Sequence, residues 1–180
     1  MALHKCVLVV LTVLFAGACT GWADPFGPGA ALQPGETLLI TDAPAYEIRQ
    51  EGVLHAVDFE LTYRNGLDAA VAVPACHTPV RPMLQKLVGG TWVHAFSSPE
   101  LMCITSPLVI PAKRTHQFRY RLRADAYDLE HWSEAVDGSL GGTYRLRWWV
   151  GVHDRRADTG VGAPLPEEYV VSNSFELGVR

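Results

Sequence analysis

Surplus positive charge is missing from this sequence: 15 Lys and Arg stand against 19 Asp and Glu, a formal net charge of -4 over 180 residues. Gripping nucleic acid in bulk requires a cationic field that displaces counter-ions from phosphates, so no nucleic-acid partner is expected. Long apolar runs are missing too, except for one at the extreme N-terminus, which excludes a polytopic membrane protein. Disorder is excluded from the other side, because 48% of residues are hydrophobic and only 19% charged. The length suits one globular domain.

Catalytic motifs are equally scarce. The serines of Ser97-Ser98-Pro99, Thr105-Ser106-Pro107 and Gly138-Ser139-Leu140 form no G-x-S-x-G elbow. Gly27-Pro28-Gly29 is too rich in proline to cradle a phosphate and leads into no helix. His55, His77, His94, His116, His131 and His153 are scattered singly, without the short spacings that place two ring nitrogens on one metal. Neither Cys76 nor Cys103 is followed by the His and Met of a copper loop. No catalytic residue, metal or other cofactor is expected.

What is present begins with an export segment. His4 and Lys5 precede an uncharged run from Cys6 to Ala16, which as a helix would span about 17 Å against a hydrocarbon core of roughly 30 Å. It therefore reads as a cleaved signal peptide over residues 1–18. Ala16-Gly17-Ala18 satisfies the small-x-small rule, and with Cys19 it also resembles a bacterial lipobox, which would make Cys19 a lipidated residue and the membrane a partner. Cleavage after Ala23 is the competing reading. Several acyl chains on one cysteine would anchor the chain stably. Residues 19–35 hold four glycines and three prolines without apolar period and read as a tether.

From residue 36 to 180 the pattern changes to short alternating runs broken by Gly, Pro and Asp, which predicts an all-β domain. Val57, Phe59, Leu61 and Tyr63 fall on one face of a strand that closes at Asn65-Gly66, a turn signal. Phe118, Tyr120 and Leu122 oppose Arg119, Arg121 and Arg123, and from Thr143 to Val152 Tyr144, Leu146, Trp148 and Val150 oppose Arg145, Arg147 and Trp149. Further strands are expected at 37–41, 45–49, 69–73, 83–88, 91–95, 108–110 and 170–179. Gly89-Gly90 reads as a two-residue hairpin turn. Helical turns are expected at Ser97-Ser98-Pro99-Glu100 and over Asp125 to Val136, where Leu129, Trp132 and Val136 share a face. His153 to Glu168 reads as a mobile loop. In an exported chain Cys76 and Cys103, with 26 residues between them, are expected to form a disulfide, contributing about 3 to 4 kcal/mol through loop closure.

The order of Leu61-Thr62-Tyr63-Arg64-Asn65, Leu84-Gln85-Lys86-Leu87 with Gly90-Thr91-Trp92, Ile110-Pro111-Ala112 and Leu140-Gly141-Gly142-Thr143-Tyr144-Arg145-Leu146 resembles the bacterial immunoglobulin-like domains related to the intracellular proteinase inhibitor. The resemblance spans Val53 to Leu177, with Ala112 where the family often has Gly. It implies an immunoglobulin-like antiparallel β-sandwich with one or two short helical turns, in which Tyr144 packs at a sandwich corner.

The residues singled out for ligand binding are Arg119, Arg121, Arg145, Arg147 and Trp149. If their strands face one side they make a cationic aromatic platform, able to hold a carboxylate and stack a ring. The competing reading pairs the arginines with Asp58 and Glu60 across strands. The function expected is a non-catalytic binding or scaffolding module, anchored at the cell envelope or otherwise periplasmic or secreted, with an unknown protein or glycan partner. Two alternatives are a proteinase inhibitor presenting the loop from His153 to Glu168 and a carbohydrate-binding module using the Arg and Trp face.

Overall fold

The computed structural model describes residues 38–76, 78–97 and 105–179. Cys19, Cys103, the export segment, the tether and nearly all of the turn expected after Ser97 lie outside them. The lipidation and the Cys76–Cys103 bridge therefore fall outside the described residues.

The described chain runs through β1 (Leu38–Thr41), β2 (Ala45–Glu51), β3 (Leu54–Arg64), β4 (Val71–Val73), β5 (Ala75–Cys76), β6 (Thr78–Pro79), β7 (Met83–Val88) and β8 (Thr91–Phe96). It continues through β9 (Leu108–Ile110), β10 (Thr115–Ala124), the helix α1 (Ala126–Ala135), β11 (Gly142–Arg147), β12 (Gly151–His153), β13 (Val161–Pro164), a 3-10 turn at Glu167–Tyr169 and β14 (Phe175–Val179). The fold is an immunoglobulin-like β-sandwich, antiparallel except for one pair of strands.

One layer is built on β3, which pairs with β10 along ten residues and on its other side with β1 and the end of β2. The second layer runs β14, β11, β7, β8. β2 joins the two: Ala45 to Ile48 lie parallel to β14, and Arg49 to Glu51 lie antiparallel to β3. The alternation drives this arrangement. Val57, Phe59, Leu61 and Tyr63 of one layer, and Tyr144, Leu146, Phe175 and Leu177 of the other, are buried. Phe59 meets Phe175 at 5.4 Å and Tyr46 at 4.6 Å between ring centres, so the inner faces close on an aromatic core. A smaller sheet, β13, β12, β4, β9, extends one end.

Gly89 and Gly90 take positive φ of 57° and 84°, with Val88 paired to Thr91, the two-residue turn their sequence called for. Asp125 caps α1 in a box with Asp128, and Trp132 packs from the helix onto Phe96 and Tyr144. The Tyr144 hydroxyl donates to the Leu140 carbonyl at 2.8 Å, closing the corner between α1 and β11. Burial pushes the Tyr144 and Tyr63 hydroxyls above their ordinary pKa.

Two expectations are corrected. The single strand over 143–152 is two, because the chain leaves β14 after Tyr144 and β7 after Arg147, and β12 joins β4 instead. The loop expected from His153 to Glu168 holds a hairpin: β12 pairs with β13, and its turn is tied by Asp154 N–H to Gly160 O at 3.1 Å and Gly160 N–H to Ala157 O at 2.8 Å. β3 closes at Arg64, where the turn signal stands, and Asn65 there is a buried clamp between three segments.

Candidate functional site

Alternation of side chains survives the break between β11 and β12. Trp148 N–H donates to Val170 O at 2.7 Å and Leu165 N–H to Val150 O at 3.0 Å, so residues 148–150 stay extended against the segment leading into β14. Trp148 and Val150 consequently point inward and are buried, while Arg147 and Trp149 point out, Trp149 being 60% exposed. Trp148 is held on three sides: its ring stacks on Phe118 at 4.5 Å, meets Tyr63 edge-on at 5.7 Å, and its Nε1 donates to Val80 O at 2.6 Å. That last bond draws the segment between β6 and β7 over the end of β11.

Between this segment, Arg147, Trp149 and the β13 end lies a cleft of about 590 Å³. Buried Trp148, Val150 and Val170 contribute to its lining, as do the half-buried Val80, Met83 and Leu165. Its exposed members are Arg81, Ser97, Arg147, Trp149 and Pro164; none of the described residues lining it is acidic or His. This volume falls in the range of about 300 to 1,000 Å³ usual for small-molecule sites.

The five residues expected to share one platform are divided by the fold. Arg119 and Arg121 lie on the outer face of the β3 and β10 layer, and Arg145, Arg147 and Trp149 on that of the opposite layer, since Tyr120 and Tyr144 both point into the core between. Arg119 pairs with Glu60 at 2.8 Å, and Arg121 with Glu51 and, at 3.6 Å, with Asp58. Arg145 donates to Glu167 at 2.5 Å and to Gln85 at 2.8 Å, and its guanidinium lies 4.6 Å from the centre of the Trp92 ring. These arginines are engaged by the protein itself: Arg119 and Arg121 across strands with Glu60 and Asp58, and Arg145 with the 3-10 turn. Arg147 differs: among the described residues it has no carboxylate partner. Only Arg147 and Trp149 of the five line the cleft.

Arg81 was not singled out from the sequence, although it borders both this cleft and a smaller hollow beside Arg119 and Arg121. The signal available was Pro79-Val80-Arg81-Pro82, where prolines without an N–H end the pairing of β5 with β6 at Pro79 and leave Arg81 exposed. Met83 and Leu165 were missed because strand alternation alone does not tell which outward residues lie beside a neighbouring loop. Among the described residues no group of His, Cys, Asp and Glu is disposed to hold a metal ion.

No family model matches the chain, and no curated protein matches it. The resemblance to the proteinase-inhibitor-related domains accordingly rests on its short motifs. A solved protein from Archaeoglobus fulgidus is similar at 12% identity over 68% of this chain and 84% of that one, with a TM-score of 0.34.

Proposed function

We propose that this chain is a non-catalytic binding module, exported and held at the cell envelope, that takes its ligand in the cleft beside Trp149 and Arg147. The observation that carries the reading is the pairing of a 60% exposed tryptophan with an arginine that has no carboxylate partner among the described residues, over buried apolar side chains. Surface tryptophans cost solvation and arginines normally find acids, as Arg119, Arg121 and Arg145 do here. Neither economy is made at this cleft.

Indole, a neutral aromatic probe, tests it by amide and side-chain NMR shifts. Perturbations confined to Met83, Trp149, Leu165 and Val170, and lost in Trp149→Ala, are the expected outcome. Shifts scattered over the surface, or unchanged in that variant, refute the cleft.

The apolar run ahead of Cys19 supports the envelope location, and a pair of cysteines in an exported chain supports the disulfide. Thr105, two residues after Cys103, donates through its hydroxyl to Ala75 O at 2.8 Å, next to Cys76. Intact mass spectrometry of protein recovered from a bacterial envelope should give a chain starting at acylated Cys19 that gains two protons on reduction. An unmodified chain starting at Asp24 removes the anchor, and no mass gain removes the disulfide.

A further inference from the structure

We infer that the cleft takes a small amphipathic monoanion, a carboxylate on a hydrocarbon or aryl body, and not a neutral sugar. The inference rests on the cleft being the binding site and adds the chemistry of its occupant. Three features of the lining lead there.

The first is the balance of donors and acceptors. Arg147 supplies guanidinium N–H groups, which only donate, and Ser97 supplies one hydroxyl. No carboxylate or carboxamide side chain lines the cleft among the described residues. Each sugar hydroxyl both donates and accepts, and with the Ser97 hydroxyl the one side-chain oxygen acceptor among the described lining residues, a buried sugar ring would leave most of its donors without acceptors. A carboxylate, which only accepts, fits this set.

The second is the local charge. The chain as a whole is acidic, at -4, yet its arginines on the neighbouring faces are neutralised by Glu51, Asp58, Glu60 and Glu167. Arg147 keeps its charge directed at the cleft, with no lining acid to compete for it. The attraction is therefore short-ranged and sets orientation in the site more than the rate of encounter.

The third is the apolar remainder. Val80, Met83, Leu165 and the Trp149 ring offer surface that an inorganic anion would leave wet. An occupant that gains from the whole cleft has to carry a hydrophobic body behind its charged head.

Decanoate, decanol and the trimer of N-acetylglucosamine, each titrated against the full chain by NMR, distinguish the possibilities. Decanoate should perturb Met83, Leu165 and the Trp149 indole N–H. Arg147→Gln should weaken decanoate about tenfold and leave decanol unchanged, because only the charged head uses the guanidinium. Arg123→Gln, on the outer face of the other layer, should alter neither. Equal binding of decanoate and decanol, insensitive to Arg147→Gln, overturns the anion while the cleft stands. Binding of the sugar trimer without decanoate overturns it in favour of a glycan. No perturbation by any of the three overturns the anion and the cleft together.

Discussion

Lys86→Ala is expected to lower stability by about 2 to 4 kcal/mol, read as a shift of the urea midpoint followed by tryptophan fluorescence. Lys86 sits on the inner side of β7 opposite Tyr144, only 2% exposed, in a place where a strand normally puts an apolar residue. Its stem fills that place: a Cβ added at Gly142 would lie 2.9 Å from Lys86 Cε, which is why the corner before Tyr144 carries a glycine. Its ammonium donates to Asp137 Oδ1 and to Ser139 O, both at 2.6 Å. Truncation thus removes core volume and leaves the Ser139 carbonyl without its donor.

Lys86→Met keeps most of the volume and should cost about 1 kcal/mol, the hydrogen bonds alone. Asp137→Ala should be the more damaging of the two, although Asp137 is far more exposed, because it leaves a buried ammonium without its counter-charge. The pair also marks the acid limb. Hydrogen bonding to the Lys86 ammonium holds the Asp137 carboxyl below its ordinary value of 3.8. A carboxyl depressed in the folded state contributes stability above that ordinary value and loses it as pH falls through the lower native one. Below pH 3.8 the parent should lose stability more steeply than Lys86→Met. Equal acid slopes would mean that the pair contributes nothing to the fold.

Lys86 also shows how far the sequence could be read. Its neighbourhood, Leu84-Gln85-Lys86-Leu87, alternates correctly, but alternation puts a charged residue in the core without naming what receives the charge, here 51 positions away. The same limit governs the strands. Phe59, Tyr120 and Tyr144 fall on inner faces because period two is a local property, and the Gly89-Gly90 turn and the helix over Asp125 to Val136 were legible because their signals are local too. The crossing of β2 from one layer to the other was not legible, since Ile48 and Arg49 differ only in which distant strand they meet. Nor was the division of the arginines. Arg119 and Arg145 look alike along the chain, and only the packing of two sheets assigns one to Glu60 and the other to Glu167 and Trp92. Trp149 and Arg147 were read correctly as outward, but the cleft next to them is made by the Pro79-to-Pro82 crossing and the end of β13.

Asn65→Ala is expected to be more costly still, about 3 to 5 kcal/mol, a large part of the stability of a domain this size. The residue is completely buried where β3 ends. Its Nδ2 donates to Ala69 O at 2.9 Å, Pro111 O at 3.0 Å and Ile110 O at 3.1 Å, two hydrogens shared among three carbonyls, while its Oδ1 accepts from Leu67 N–H at 3.1 Å. Its backbone N–H reaches Arg114 O at 2.9 Å. One amide thereby fastens the loop after β3 to the turn between β9 and β10, and alanine would take the side-chain partner from four backbone groups. Asn65→Asp separates shape from chemistry. Aspartate is the same size and can still accept from Leu67, but it sets an oxygen against three carbonyl oxygens, so it should be at least as destabilising as alanine. Should Asn65→Asp unfold at the parent's urea midpoint, the donor role is wrong and the position is held by packing alone.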